Sequence, residues 1–377
     1  MKALVKAPSK MSIQKATASY EKWLGEQIPL LPEDLERKHK AMRSSPFLFL
    51  RATYYRWTQL WPIVKKSLRN AKVVLAVGDL HVENFGTWRD TEGRLVWGVN
   101  DLDEACPLPY TYDLIRLAAS ARLAISTGDL TADPKEADAA ILAGYREGLE
   151  AGGRPFVLAE RWRTLSRLAM TKLESPDKFW KKLEALPAVA ANLVPESALR
   201  ALDGLLPAKG LAVRYAHRTA GAGSLGRQRF VAVADWQGGN IAREAKAVAK
   251  SAFLWSHRGD VEPRAIYREI LSKAVRCQDP FISIKRRWIV RRLAPDCSRI
   301  ELAELAKVEE IVDLLLAMGW ETANIHLGSA SAPALLVDVV SRPEGWLHAA
   351  VEEMLDEVRT DWEAWKKDPP AKSGKEG

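Results

Sequence analysis

Gly78-Asp79-Leu80-His81-Val82-Glu83-Asn84, followed by Val99-Asn100-Asp101-Leu102-Asp103-Glu104, is the stretch that decides the fold. Just upstream, VVLAVGDL (73–80) is a β-branched, apolar run and reads as a buried strand. NFGTWRDTEGRLVWGVNDLDEA (84–105) reads as two short strands around the turn Asp90-Thr91-Glu92-Gly93. A hairpin turning at Glu92-Gly93 sets position i opposite position about 185 − i, which places Asn84 across from Asp101. Asp79, at the end of the preceding strand, then joins them at one strand-end rim.

Two carboxylates and an amide oxygen are hard oxygen ligands. They suit Mg²⁺, which takes few protein carboxylates and completes its shell with water and substrate phosphates. A carboxylate left off the metal can orient a hydroxyl for attack on phosphorus. The Asp-to-Asn spacing, D-x-x-x-x-N, is that of the protein-kinase catalytic loop, which is also followed by a metal-binding Asp after a short hairpin. On this reading Asp79 is the catalytic carboxylate, Asn84 and Asp101 hold the metals, and Asp103 is a further metal-site acid. His81 is a hydrogen-bonding support; with no second His or Cys nearby, a histidine metal site is the weaker reading.

Gly78-Asp79-Leu80-His81-x-x-Asn84 with Asp101-Leu102-Asp103 resembles the active site of aminoglycoside phosphotransferases and related small-molecule kinases, whose pattern is G-D-x-H-x-x-N and then I-D-[FW]-[DE]. Pro109-Tyr110-Thr111-Tyr112-Asp113-Leu114 resembles their segment D-P-x-x-D-L-A. The resemblance implies that Asp113 begins a helix and ties down the catalytic loop. Residues 47–125, together with RTAGAGSLGRQRFV (218–231), also resemble a bacterial family labelled domain of unknown function 2252, a likeness that covers most of the chain and supplies no activity.

Gly221-Ala222-Gly223-Ser224-Leu225-Gly226 fits G-x-G-x-x-G. A dinucleotide fingerprint needs a helix after it. Here a strand pattern follows, and strand–glycine turn–strand is how protein kinases cover ATP phosphates. An ordinary hairpin turn is the competing reading. Gly221, Gly223, Ser224 and Gly226 are thus candidate phosphate-binding residues. Arg243 and Lys246 are the candidate phosphate cations, with Lys250 behind them; the best register with the kinases' lysine-containing strand puts Arg243 at the lysine. Glu262 or Glu269 is the candidate partner of that cation.

The glycine turn follows the acidic segment, the reverse of the kinase order. The sequence therefore predicts an α+β, protein-kinase-like two-lobed fold in circularly permuted order, or else an acidic half that is kinase-like beside an unrelated turn. Residues 1–205 are the helical part carrying the catalytic and metal loops. Residues 206–297 are a small antiparallel-sheet lobe. Residues 298–367 are C-terminal helices returning to the large lobe, and 368–377 a frayed tail. Within these spans, SPFLFLRATYYRWTQLWPIV (45–64) reads as one buried helix, helical pattern runs through 110–152 and 156–205, a helix spans about 262–277, RRWIVRRLA (286–294) is a strand, and long helices span about 301–327 and 344–367.

The chain has 377 residues with 47% hydrophobic and 28% charged, which excludes a disordered or fibrous chain. It carries no window of the ~18 consecutive apolar residues a membrane span needs and no apolar core of signal-peptide length at its start. Cys106, Cys277 and Cys297 lie far apart without paired spacing, which points to a reducing, cytoplasmic setting. The net charge of +8 is concentrated in residues 1–70, where lysines and arginines exceed acids by nine. This basic segment reads as a phosphate-attracting or acceptor-facing surface, with a solvated surface and a nucleic-acid arm as the other readings. The function expected is an ATP- and Mg²⁺-dependent phosphotransferase acting on an unidentified hydroxyl, with a non-catalytic nucleotide-binding module as the alternative.

Overall fold

The computed structural model of the chain describes residues 11–158, 160, 162, 165–167, 169, 175–257, 262–297 and 308–368. The described residues form a mixed helix-and-sheet structure with three small antiparallel sheets. The helices α1 (Ile13–Gly25), α2 (Pro32–Ser44), α3 (Pro46–Ala52), α4 (Tyr54–Leu60) and α5 (Lys66–Arg69) come first. The aromatic stretch expected to be one helix is two. Thr53, at φ −118° and ψ 37°, donates its hydroxyl to Phe49 O at 2.7 Å and ends α3 before α4 begins. Both halves are buried, and Tyr54, Tyr55 and Trp57 are core residues.

Strand β1 (Val73–Ala76) pairs antiparallel with β4 (Cys106–Pro109), and β2 (Phe85–Arg89) pairs with β3 (Leu95–Val99). Next come α6 (Tyr110–Ser126), α7 (Pro134–Glu150) and β5 (Phe156–Val157), which pairs with β3. Of the expected helical stretch 156–205, the described elements are β5, α8 (Pro176–Glu184) and α9 (Glu196–Asp203), with a 3₁₀ turn at Ala191–Leu193; residues 159, 161, 163, 164, 168 and 170–174 lie outside the described residues.

The third sheet is built from β6 (Val213–His217), β7 (Arg229–Trp236), β8 (Gly239–Ala247), β9 (Ser283–Lys285) and β10 (Trp288–Leu293), in the order β6-β7-β8-β10-β9. Between its third and fourth strands in sequence lie α10 (Ala252–His257) and α11 (Pro263–Lys273), the latter shorter than expected. The chain then returns through α12 (Val308–His326), α13 (Ala332–Val340) and α14 (Trp346–Lys367) to pack on the first half: α12 against α7, and α14 against α6. Residues 301–307 of the expected first long helix, and 369–377 of the tail, lie outside the described residues. The α7–α12 crossing is close because glycines face it from both sides. A Cβ on Gly144 would fall 1.8 Å from Leu316 O, and one on Gly319 would fall 2.0 Å from Ile141 O.

Candidate functional site

Strand β1 ends at Ala76, and Gly78 turns the chain at φ +83°. A Cβ there would fall 2.4 Å from Glu104 O and 2.8 Å from the Tyr54 hydroxyl, so only glycine fits the turn that presents Asp79. The turn is held from below. Val77 N and Gly78 N donate to Asp113 Oδ2 and Oδ1 at 2.7 and 2.9 Å. His326 Nε2 lies 3.0 Å from Asp113 Oδ2, and its Nδ1 lies 2.9 Å from the Tyr145 hydroxyl. All three side chains are fully buried, so a chain of polar groups from α7, α12 and α6 ends on the backbone of the Asp79 turn.

Asp79 Oδ1 accepts from Arg116 Nε at 3.0 Å and also from Arg116 Nη2, which donates to Leu50 O at 2.9 Å as well. The Arg116 guanidinium is fully buried and lies over the rings of Trp57 and Tyr54, 4.9 and 5.1 Å from their centroids. Burial pushes the Asp79 carboxyl above its ordinary value, and Arg116 opposes that shift. Asn84 Nδ2 donates to Asp79 O at 2.7 Å, and Glu83 N donates to His81 Nδ1 at 3.2 Å, so both side chains brace the loop.

The hairpin register runs from Phe85 opposite Val99 to Arg89 opposite Leu95. Asn84 therefore faces Asn100, whose N–H donates to Asn84 O at 2.9 Å, and not Asp101 as expected. The cause is the loop. Asp90 N donates to Arg94 O at 3.1 Å, and Asp90 Oδ1 accepts from Glu92 N and Arg94 N, giving an odd-numbered loop centred on Glu92. Asp101 lies just past the strand end.

Lys246 Nζ donates to both oxygens of Asp101 at 3.3 Å and pairs with Asp103. Asp103 Oδ2 is also 3.7 Å from Arg227, which pairs with Glu104 at 2.7 Å. Burial raises the Asp103 and Glu104 carboxyls; Asp101 adds to the first, which Lys246 and Arg227 oppose, while Arg227 and the Ala252 amide oppose the second. Among the described residues no group of three or more His, Cys, Asp or Glu side chains forms a preassembled metal cluster. One amide oxygen and two carboxylates still fit a Mg²⁺ that takes the rest of its shell from water and phosphate.

The glycine turn lies on this rim. Gly221 has φ +75°, a 3₁₀ turn spans Ala222–Ser224, and a Cβ on Gly223 would fall 3.6 Å from Asp79 Oδ2. Asp79, His81, Asn84, Asp101, Asp103 and Lys246 border one cavity of about 40 Å³. Gly221, Gly223 and Ser224 border it from the other side, so segments more than 100 residues apart in sequence meet there. Gly226 is not at the cavity. With φ +92°, it packs against Leu35, and its carbonyl accepts from Leu31 N at 2.9 Å.

Of the two candidate cations, Lys246 reaches the site and Arg243 does not. The two are three residues apart on one strand and so point to opposite faces. Arg243 Nε donates to Leu205 O at 2.9 Å, and its guanidinium lies 4.9 Å from the Phe281 centroid. Glu262 pairs with Arg264 and Glu269 with Lys273, so Lys246 has Asp101 and Asp103 as its carboxylate partners instead. The basic N-terminal segment is not a uniform surface. Arg51 borders the cavity and pairs with Glu83 at 2.6 Å, Arg56 pairs with Asp361, and Lys38 is buried beside the Tyr55 ring. Sequence reasoning missed Arg51, Arg116 and Arg227. The available signals were the i, i+3 spacing of Arg116 from Asp113 on α6 and the position of Arg227 directly after the glycine turn.

Residues 30–202 match the family described as uncharacterized protein conserved in bacteria (DUF2252). The matched span contains the Asp79–Asp113 segment and ends before the glycine turn, so the likeness over 218–231 lies outside it. No curated protein and no solved structure matches the chain. No helix among the described residues is long and apolar enough to cross a membrane.

Proposed function

Starting from a family description that names no activity, we propose that this chain is an ATP- and Mg²⁺-dependent phosphotransferase of kinase-like, circularly permuted architecture, transferring a phosphoryl group to a hydroxyl. The observation that carries the reading is the meeting of Asp79, Asn84 and Asp101 with the Gly221–Ser224 turn and Lys246 around one cavity. The five-stranded sheet supports it too. Its third strand carries the lysine that faces the acidic loop, as the third strand of the kinase small lobe does.

In this reading Asp79 orients the acceptor hydroxyl through Oδ2 and takes its proton, while Arg116 fixes the carboxylate plane from the Oδ1 side. Asn84 and Asp101 would hold the metal, with Asp103 beside them. Mg²⁺, when bound, neutralises charge on the transferring phosphate. Lys246 leaves the two aspartates and takes phosphate oxygens, and the backbone of the Gly221–Ser224 turn covers them. Positioning and charge neutralisation supply the rate enhancement.

A second reading, a nucleotide-binding module without transfer, is favoured by one observation: the cavity of about 40 Å³ holds only a few waters. Both readings are separated by measuring ATP turnover with Mg²⁺ in the wild type, Asp79→Asn and Asp101→Asn. Phosphotransfer requires turnover in the wild type and its loss by at least about 100-fold in each variant, the usual worth of a positioned acid–base group. Equal turnover in all three removes this site from the reaction. Mg-ATP raising the melting temperature without turnover favours the second reading.

A further inference from the structure

Three arginines converge on one carboxylate beside the proposed site. Glu244, on β8 and fully buried, accepts from Arg229 Nη1 at 2.9 Å, from Arg291 Nε at 3.0 Å and from Arg218 Nη1. Glu244 is two residues from Lys246 on the same strand, so both point to one face of the sheet. Arg229 lies opposite Lys246 and Arg291 opposite Glu244 in the register, which puts them on that face as well. Arg229 also donates to Ser224 Oγ at 2.8 Å, tying the cluster to the glycine turn.

The charge does not balance. Arginine is permanently protonated, and the three guanidiniums hold the Glu244 carboxyl well below its ordinary range, so it is ionised. Within the cluster itself the arginines exceed the carboxylate by two charges. Of the nearby carboxylates, Asp101 also acts on Arg291 and so offsets part of this charge, while Asp101 and Asp103 both pair with Lys246. Arg229 is buried, but Arg218 and Arg291 keep 29% and 27% of their side-chain surface exposed. Each gives one of its five N–H donors to Glu244 in these bonds, and each side chain is partly exposed. The apolar part of the same face (Val231, Ala242 and Leu293) is already covered by Phe179, Trp180 and Leu183 of α8. What this face offers a ligand is guanidinium.

We propose that the Glu244 cluster is an anion-binding subsite that takes a phosphate-type polyanion on Arg218 and Arg291. The part-exposed guanidiniums suit paired phosphate oxygens, and an added anion relieves a partly buried excess of positive charge that Asp101 offsets only in part. The inference does not depend on phosphoryl transfer.

The test is calorimetric titration of the full chain with inorganic tripolyphosphate in the presence of a metal chelator, and in parallel with ATP. The wild type binds tripolyphosphate. Arg218→Gln and Arg291→Gln each weaken binding about tenfold or more, the worth of one charge-assisted hydrogen bond. Arg292→Gln, which removes the same charge from the opposite face, leaves binding unchanged. ATP binding that falls in step assigns the nucleotide's own phosphates to the subsite; ATP binding that does not assigns it to a separate polyanion. If the arginine variants fail to fold, side-chain NMR of the wild type decides, with tripolyphosphate shifting Arg218 and Arg291 first. The proposal is overturned by no tripolyphosphate binding to the wild type, by variants that bind as tightly as the wild type, or by an equal loss in Arg292→Gln. Tripolyphosphate binding without ATP turnover sinks the phosphotransfer reading and leaves this one standing.

Discussion

Asp113 is where the fold grips the proposed catalytic turn, and removing its carboxylate is the most informative perturbation of that grip. Asp113→Ala deletes the acceptor for Val77 N, Gly78 N and the His326 ring at once, all of them fully or nearly fully buried. A buried donor left without a partner costs about 1–3 kcal/mol. Two orphaned amides plus a loosened histidine thus cost about 3–6 kcal/mol, a large part of the roughly 5–15 kcal/mol that holds a typical domain. Asp113→Asn keeps one carbonyl oxygen and should cost about half as much. The assay is urea denaturation at constant m-value, with hydrogen exchange read at Val77 and Gly78. The reasoning expects both amides to lose protection in Asp113→Ala and one of them in Asp113→Asn. A cost below about 1 kcal/mol for the alanine variant, with protection at both amides unchanged, would refute it.

Glu321 gives a pH dependence. It is buried in contact with Val99 N and Asn324, and burial pushes its carboxyl from 4.5 up to about 7 despite the nearby Arg276. A raised carboxyl pKa means that the folded state binds the extra proton, so stability falls as pH rises from about 4.5 through 7. The loss from this group is up to about 3 kcal/mol. Glu321→Gln should flatten the difference between urea midpoints at pH 5 and pH 8, and an equal slope in both proteins would count against the assignment. Gly78→Ala forces a side chain into φ +83° and against Glu104 O. It should cost about 3 kcal/mol or more, and a melting temperature within a degree of the wild type would contradict the close approach.

The grouping of the acidic residues was legible because they sit in one short run. Asp79, Asn84, Asp101 and Asp113 are near neighbours in sequence, and the turn residues around them carry the positional information. The hairpin register slipped by one because the side chain of Asp90, not a backbone preference, sets the loop length. Arg243 was misplaced for a different reason. A match to a lysine position says nothing about strand phase, and only the pairing of β8 with β7 and β10 fixes which face Lys246 occupies. Arg116 and Arg227 left only weak local signals because they act across long sequence separations: Arg116 reaches Asp79 from within a helix that reads as ordinary core, and Arg227 reaches Glu104 from 123 residues away. The break at Thr53 was hidden in a stretch whose aromatics are buried on both sides of it.

The central claim is that nucleotide phosphates bind between the Gly221–Ser224 turn and the Asp79–Asp101 rim. A crystal structure with a non-hydrolysable ATP analogue and Mg²⁺ measures this directly. The account predicts metal on Asn84 and Asp101, phosphate oxygens under the glycine turn, and Lys246 moved from Asp103 onto a phosphate. Lys246 still paired with Asp101 and Asp103, with the analogue bound elsewhere or absent at saturating concentration, would contradict it.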